Sequence, residues 1–365
     1  MVEKKAFGRL GDGRMVSLYR ITNQYGEYVS LLDYGATIYE IIVRDRNGQL
    51  GDVVLGAPGA DSLETFPFMG STIGRCANRI ANGRYEADGI QYQLEQNMGK
   101  HFLHGGSGNY AKKLFSGSVD EALQSVTFYY KDTGEGGFTC DADAYVTFRF
   151  DEEARLSIIY DWSGEDTTIL NPTNHSYFNL AGTKDARGQK LRICSGNRVS
   201  RDEDGIPDGG EIPVKGTAAD FEQMWSICQA MESDNTGYFE DAVKLYDEVY
   251  VMNDKTSRPA AQAASQSEAD PQKNRPFRLL AELSSPETGR TLHVYSDMPS
   301  LVLFLIPIEP GVTGKHGQVY EGYCGVCLET GFVPNAVNCP QFDSPLFHKG
   351  EQLHSVTVYQ FGTEC

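Results

Sequence analysis

The eleven residues Arg84-Tyr85-Glu86-Ala87-Asp88-Gly89-Ile90-Gln91-Tyr92-Gln93-Leu94 decide how the rest of the chain is read. Apolar and polar side chains alternate on both sides of Asp88-Gly89, the period of a strand with one buried face. Asp-Gly suits a two-residue hairpin loop because such turns need positive φ at their centre. The same grammar recurs in both directions. Residues 38–43 run into Asn47-Gly48, and residues 126–130, 144–150, 156–162, 291–295, 301–305 and 355–361 are further strand candidates. Only residues 218–232, around Phe221, Met224, Trp225 and Cys228, carry a weak helical spacing. Many strands, few helices and 39 glycines predict an all-β sandwich or barrel.

The 365 residues contain 32 Lys+Arg and 50 Asp+Glu, a formal charge of −18. That balance argues against nucleic-acid or anionic-membrane partners, since no cationic stripe is available for phosphates. No apolar run approaches the ~18 residues of a membrane span, and Met1-Val2-Glu3-Lys4-Lys5 opens into a polar segment unlike a signal peptide. Eight cysteines are scattered along the chain, the pattern of reduced thiols in a cytoplasmic protein. Cys324-Gly325-Val326-Cys327 has the spacing of a redox or zinc half-site. No second pair stands close to it, and its flanks look like a strand, so core packing is the expectation. Residues 253–276, rich in Ala, Gln, Ser, Lys and Pro, are expected to form a flexible surface insertion within one domain spanning 1–365.

Four segments combine polar side chains with turn residues beyond what packing requires: Gly74-Arg75-Cys76-Ala77-Asn78-Arg79-Ile80-Ala81-Asn82-Gly83; Leu103-His104-Gly105-Gly106; Asn171-Pro172-Thr173-Asn174-His175-Ser176-Tyr177-Phe178-Asn179-Leu180; and Cys327-Leu328-Glu329-Thr330-Gly331-Phe332-Val333-Pro334-Asn335. Singly, each has a plain explanation as a loop brace, a turn or a solvated carboxylate. Together they resemble the aldose 1-epimerase (galactose mutarotase) family over nearly the whole chain. The motifs GRCANRI, LHGG, NPTNHSYFNL, IPDGGEI with GTAADF, YDEVYV and CLET…PNAVN follow in the family's order.

The resemblance implies a large antiparallel β-sandwich and an isomerase that interconverts the α and β anomers of a free aldohexose such as galactose or glucose. It assigns the general acid to His175 and the general base to Glu329. Asn78, Arg79, His104, Ser176, Tyr177 and Asp247 become sugar-contacting residues. Ring opening takes a proton from O1 and delivers one to O5, so an ionised Glu329 and a protonated His175, with a bell-shaped pH profile, are expected. Neither cofactor nor metal is implied, and a monomer or homodimer would suffice. Asp247-Glu248-Val249, Val302, Gly331 and Gly137-Phe138-Thr139-Cys140 depart from the family's usual residues, which leaves the preferred sugar open. Three alternatives remain: a non-catalytic sugar-binding module, a glycoside hydrolase, and an epimerase of sugar phosphates or other sugars.

Overall fold

The computed structural model describes residues 1–66, 68–182, 185–234, 236, 238–239, 244–252 and 275–364. Most of the 253–276 insertion therefore lies outside the described residues.

Alternation in the sequence becomes alternation in burial. Along Ala142–Phe150 every second side chain is buried, and Arg84–Ala87 and Ile90–Gln93 pair as the predicted hairpin. The longest sheet has nine antiparallel strands: Ser116–Asp120, Ser125–Asp132, Ala142–Phe150, Arg155–Gly164, Gln352–Thr363, Arg290–Ser296, Arg278–Ser284, Lys190–Ile193 and Trp225–Ser226. A second, of six, runs Tyr177–Phe178, Val326–Gly331, Ser300–Leu305, Tyr246–Val251, Asn197–Arg201 and Pro207–Pro213. A third, five-stranded sheet holds the strands from Val2–Arg9 to Leu50–Asp52. One continuous apolar cluster joins them, with Val29 and Ile41 from the third sheet, Phe148 and Trp162 from the first, and Leu301 and Leu328 from the second. Each such side chain contributes about 1.5–3 kcal/mol on burial, which makes this core the main source of stability. The expected antiparallel β-sandwich architecture is what the chain forms.

The expected helix over 218–232 is mostly not one. Only Ile227–Glu232 is α-helical, capped by the Ser226 hydroxyl. Upstream, the Asp220 carboxylate accepts the backbone N–H groups of Gly216 and Glu222, a local bond that competes with helix formation. Trp225 and Ser226 are drawn into pairing with Leu191 and Lys190.

The six-stranded sheet positions the site. Val326–Gly331 is buried throughout, yet its two faces differ. Val326 and Leu328 enter the core, so Cys327 and Glu329 must point to the other face. Register then sets their neighbours. Glu329 lies opposite Val302, which lies opposite Val249; Cys327 lies between Tyr177 on one side and Phe304, then Asp247, on the other. Glu248, adjacent to Asp247 in sequence, projects to the opposite face.

Candidate active site

The four polar segments of the sequence are bonded to one another. His175 sits between two short strands, Thr173–Asn174 and Tyr177–Phe178, which pair with Thr72–Ile73 and Val326–Gly331. Its backbone N–H donates to Ser71 and its carbonyl accepts from Gly70, both at 3.0 Å. Asn171 and Arg75 bond through their backbones, while Asn171 Oδ1 accepts the Phe332 N–H at 2.9 Å, just beyond Glu329. Asn78 and His104 hold each other: the His104 N–H donates to the Asn78 carbonyl at 3.0 Å, and the Asn78 N–H donates to His104 Nδ1 at 3.1 Å. Asn78, His104 and Asn335 have φ of 60°, 50° and 61°, a region uncommon for side chains other than Asn and Asp. Gly105 is obligatory, since a Cβ there would lie 2.1 Å from the Gly74 carbonyl.

This scaffold brings His175 Nε2 to 3.5 Å from Glu329 Oε1, both side chains about 5% exposed. Arg79 and Asp247 form an ion pair at 2.9 Å beside them. The Arg79 loop is fastened by Asn335, whose N–H donates to the Arg79 carbonyl and whose Oδ1 accepts from Ala81. Phe68 and Tyr177 stack on the His175 ring at 5.7 and 5.1 Å, with Phe304 and His104 edge-on at 5.7 and 5.8 Å. The structure thus gathers His175, Glu329, Asn78, Arg79, His104, Tyr177 and Asp247. Ser176 is adjacent but turned away, its hydroxyl donating to Asn174 Oδ1 at 2.6 Å. An apolar groove of about 570 Å³, lined in part by Phe66, Phe68, Met69 and Tyr177, opens beside His175. The space before Glu329, bounded by Asn78, Val302 and Gly331, is only about 10 Å³.

Charge is distributed differently from the sequence-based expectation. Burial pushes the Glu329 carboxyl up to about 8, with Asp247 adding to the rise and Arg79 opposing it. Burial pulls His175 down to about 4. Near neutrality Glu329 therefore holds the proton and His175 is uncharged, the reverse of the ionised pair expected above. Removing both groups from water disfavours both charges, and a 3.5 Å contact does not make up the loss. His104 is also held neutral, by burial first and by His175 and Arg79 after it. Because its Nδ1 accepts the Asn78 N–H, its proton lies on Nε2.

Several residues that shape the site carried no distinct signal in the sequence. Phe68 and Phe304 are apolar residues among many, and Arg201 is one of many arginines. Arg201 donates to the Asp247 carbonyl and pairs with Glu248, which also meets Arg198 at 3.2 Å. Asn171, Asn174 and Asn335 stood inside quoted motifs, and their only signal was their place between turn residues. Arg75 is wholly buried, held by Asp132 at 2.8 Å and by the Cys140 carbonyl at 2.9 Å. Cys327 is buried as expected but is more than packing: its sulfur lies 3.6 Å from His175 Nδ1. His175, Cys327 and Glu329 are close enough to suggest a metal site. However, Cys327 faces one ring nitrogen and Glu329 the other, so one ion cannot take all three along their lone pairs. Cys324 is likewise buried, and none of the seven described cysteines forms a disulfide. None of the described helices is long and apolar enough to cross a membrane.

A family model described as aldose 1-epimerase matches residues 17–360. Galactose mutarotase of Rattus norvegicus is 30% identical over 367 residues, covering 99% of this chain and 98% of its own. Aldose 1-epimerase of Escherichia coli K12 is 30% identical over 357 residues, 97% of each chain. Among solved structures, a GalM/aldose epimerase homologue from C. elegans superposes with a TM-score of 0.82 at 24% identity, covering 96% of this chain and all of that one. The galactose 1-epimerase of Lactobacillus acidophilus NCFM gives 0.77 at 23%, covering 100% and 99%; these two likenesses concern the fold. The sequence match over nearly the whole length places this chain in the aldose 1-epimerase family, a family of isomerases.

Proposed function

We propose that the protein interconverts the α and β anomers of a free aldohexose such as galactose or glucose. Glu329 exchanges the proton at O1 and His175 the proton at O5. The observation that carries this reading is the buried 3.5 Å contact between Glu329 and His175 Nε2, flanked by sugar-binding types of side chain. With closed sugar bound, the pair's one proton sits on His175, and the hydroxyls of the ligand replace lost water around the two charges. The O1 proton moves to Glu329 as His175 Nε2 protonates O5, and the C1–O5 bond breaks. The site then holds a neutral carboxylic acid and a neutral imidazole beside an aldehyde. That is the protonation pattern which burial favours. After rotation about C1–C2 the transfers reverse, and the ring closes on the other face. Arg79, Asp247, Asn78 and the Nε2–H of His104 hold the remaining hydroxyls, keeping the open chain oriented.

Other readings find less support. Hydrolysis of a glycoside usually needs two available carboxylates, and the neighbouring Asp247 carboxylate is paired with Arg79 at 2.9 Å and lies 3.9 Å from Arg201. A sugar phosphate needs spare cations, and of the two candidates Arg75 is buried against Asp132 and Arg79 is paired with Asp247. That none of the described cysteines forms a disulfide supports a reducing, cytoplasmic compartment.

Polarimetry of freshly dissolved α-galactose, α-glucose and several pentoses, read above spontaneous mutarotation, tests the proposal. Glu329→Gln and His175→Asn should each remove about two to four decades of rate, and the double variant should be little worse than either. Binding of sugar without acceleration would make the protein a sugar-binding module. A loss of about two to four decades in His104→Asn, with affinity intact and the His175 variant still active, would transfer the acid role to His104.

A further inference from the structure

The two histidines of the site differ in what meets Nδ1. At His104 it is a backbone N–H, a donor, at 3.1 Å. At His175 it is the Cys327 sulfur at 3.6 Å, within reach of an N–H···S hydrogen bond. Cys327 is fully buried on the strand that carries Glu329 and lies directly opposite Tyr177, whose ring stacks on His175. Among the described residues no other side chain meets His175 Nδ1, and the residue's own backbone carbonyl is the further acceptor beside the ring.

We propose that Cys327 is a positioning residue: its sulfur accepts the His175 Nδ1–H, keeps that proton in place and reserves Nε2 for exchange. The assignment of Nε2 to the sugar rests on the mutarotase reading; the hydrogen bond itself does not. An imidazolium has two N–H groups. Here Nε2 faces Glu329, and the buried Nδ1–H needs an acceptor, for which the sulfur is placed. When Nε2 gives up its proton the ring is left as the Nδ1–H tautomer, ready to take the proton back at Nε2 without tautomerising. Were the thiol to donate to Nδ1 instead, neutral His175 would carry its proton on Nε2 and could accept nothing there. Stacking by Phe68 and Tyr177 fixes the ring plane, and the sulfur distinguishes its two edges. The sulfur stays a protonated thiol throughout, consistent with burial and Glu329 holding it well above the ordinary thiol range. No group is transferred to it.

Ring ¹⁵N NMR on protein labelled at histidine tests this on the full chain, with His175→Asn and His104→Asn identifying the two signals. Near neutral pH, His175 should show a protonated Nδ1 and a bare Nε2, and His104 the opposite. Cys327→Ala should turn His175 into a mixture of tautomers and lower kcat by about tenfold or more, in the range of other lost orienting contacts, with KM changed less than about threefold. Cys327→Val, which keeps apolar filling but offers no acceptor, provides the second arm should the alanine variant fold poorly. Cys327→Ser keeps an acceptor and should restore the Nδ1–H signal with most of kcat. Wild-type His175 carrying its neutral proton on Nε2 would overturn the proposal, as would an unchanged tautomer in both acceptor-less variants. If the tautomers shift as expected while no free sugar is turned over, the positioning role stands and the mutarotase reading fails.

Discussion

Glu329→Gln should make the protein less active and should gain stability relative to the parent as pH rises above about 5. The reason is the carboxyl's environment. In the folded chain Glu329 holds its proton up to about 8, against an ordinary 4.5. Below 4.5 both folded and unfolded chains are protonated there, and titration contributes nothing. Between 4.5 and 8 the unfolded chain has released the proton and the folded chain has not. The folded state therefore loses stability as pH rises, at up to about 1.4 kcal/mol per pH step. Between pH 5 and pH 8 the accumulated loss is about 3–4 kcal/mol, a substantial fraction of a protein's whole stability. Glutamine does not titrate, so the variant escapes this loss. Any fixed penalty for burying its amide is the same at each pH and cancels when the two pH values are compared. The assay is urea unfolding of parent and variant at pH 5, 6, 7 and 8, with polarimetry alongside. The stability difference should grow with pH in favour of the variant. A difference that stays constant within about 1 kcal/mol would refute the reasoning, because Glu329 would then titrate as an exposed carboxyl does.

Catalytic pH dependence follows from the same pair. kcat/KM should rise through about pH 4, below which His175 takes a second proton and leaves no acceptor. It should fall through about pH 8, above which Glu329 loses the proton that the pair must hold; an optimum above pH 9 would contradict this. Arg79→Ala and Asp247→Ala should each weaken kcat/KM by the equivalent of about 1.5–3 kcal/mol, as for a hydrogen bond to a charged group. Glu248→Ala, whose side chain meets Arg198 and Arg201 on the opposite face, should register mainly in urea unfolding; equal kinetic effects at 247 and 248 would contradict the register. Arg75→Met should lower stability by about 3–5 kcal/mol, since it strands Asp132 as a buried unpaired charge, with KM for sugar little altered in whatever protein folds. Turnover should survive exhaustive EDTA dialysis in reducing buffer, and restoration of a lost activity by zinc would revive the Cys324/Cys327 alternative.

The strands that face water on one side were legible because alternation survives in their sequences, as along Ala142–Phe150. Val326–Gly331 showed as an apolar strand and through its motif rather than by alternation, since a strand buried on both faces has none to show. The two-residue strands around His175 are too short for any periodicity, although they place the imidazole. Residues 218–232 misled because spacing cannot reveal that Asp220 would spend its carboxylate on nearby N–H groups. At the site, side-chain types were readable, but protonation was not. The positions of Glu329 and His175 on the pH scale depend on how much water the finished fold removes from them. Cys327 was read as core packing, and it is buried; that its sulfur would face His175 was not legible, because which face of a buried strand a thiol occupies depends on the neighbouring strands.

The strand Gln352–Thr363 lies between Arg155–Gly164 and Arg290–Ser296 and pairs with both. During synthesis it leaves the ribosome after everything it binds. Until then the largest sheet exists as two separate pieces, each with an open edge of unpaired N–H and C=O groups. Such edges are templates for pairing with other chains. A nascent or prematurely terminated chain lacking this strand exposes two of them at once. Tyr359, whose hydroxyl reaches the Leu328 carbonyl behind Glu329, would be missing as well. The period of greatest aggregation hazard is thus the interval before this strand arrives.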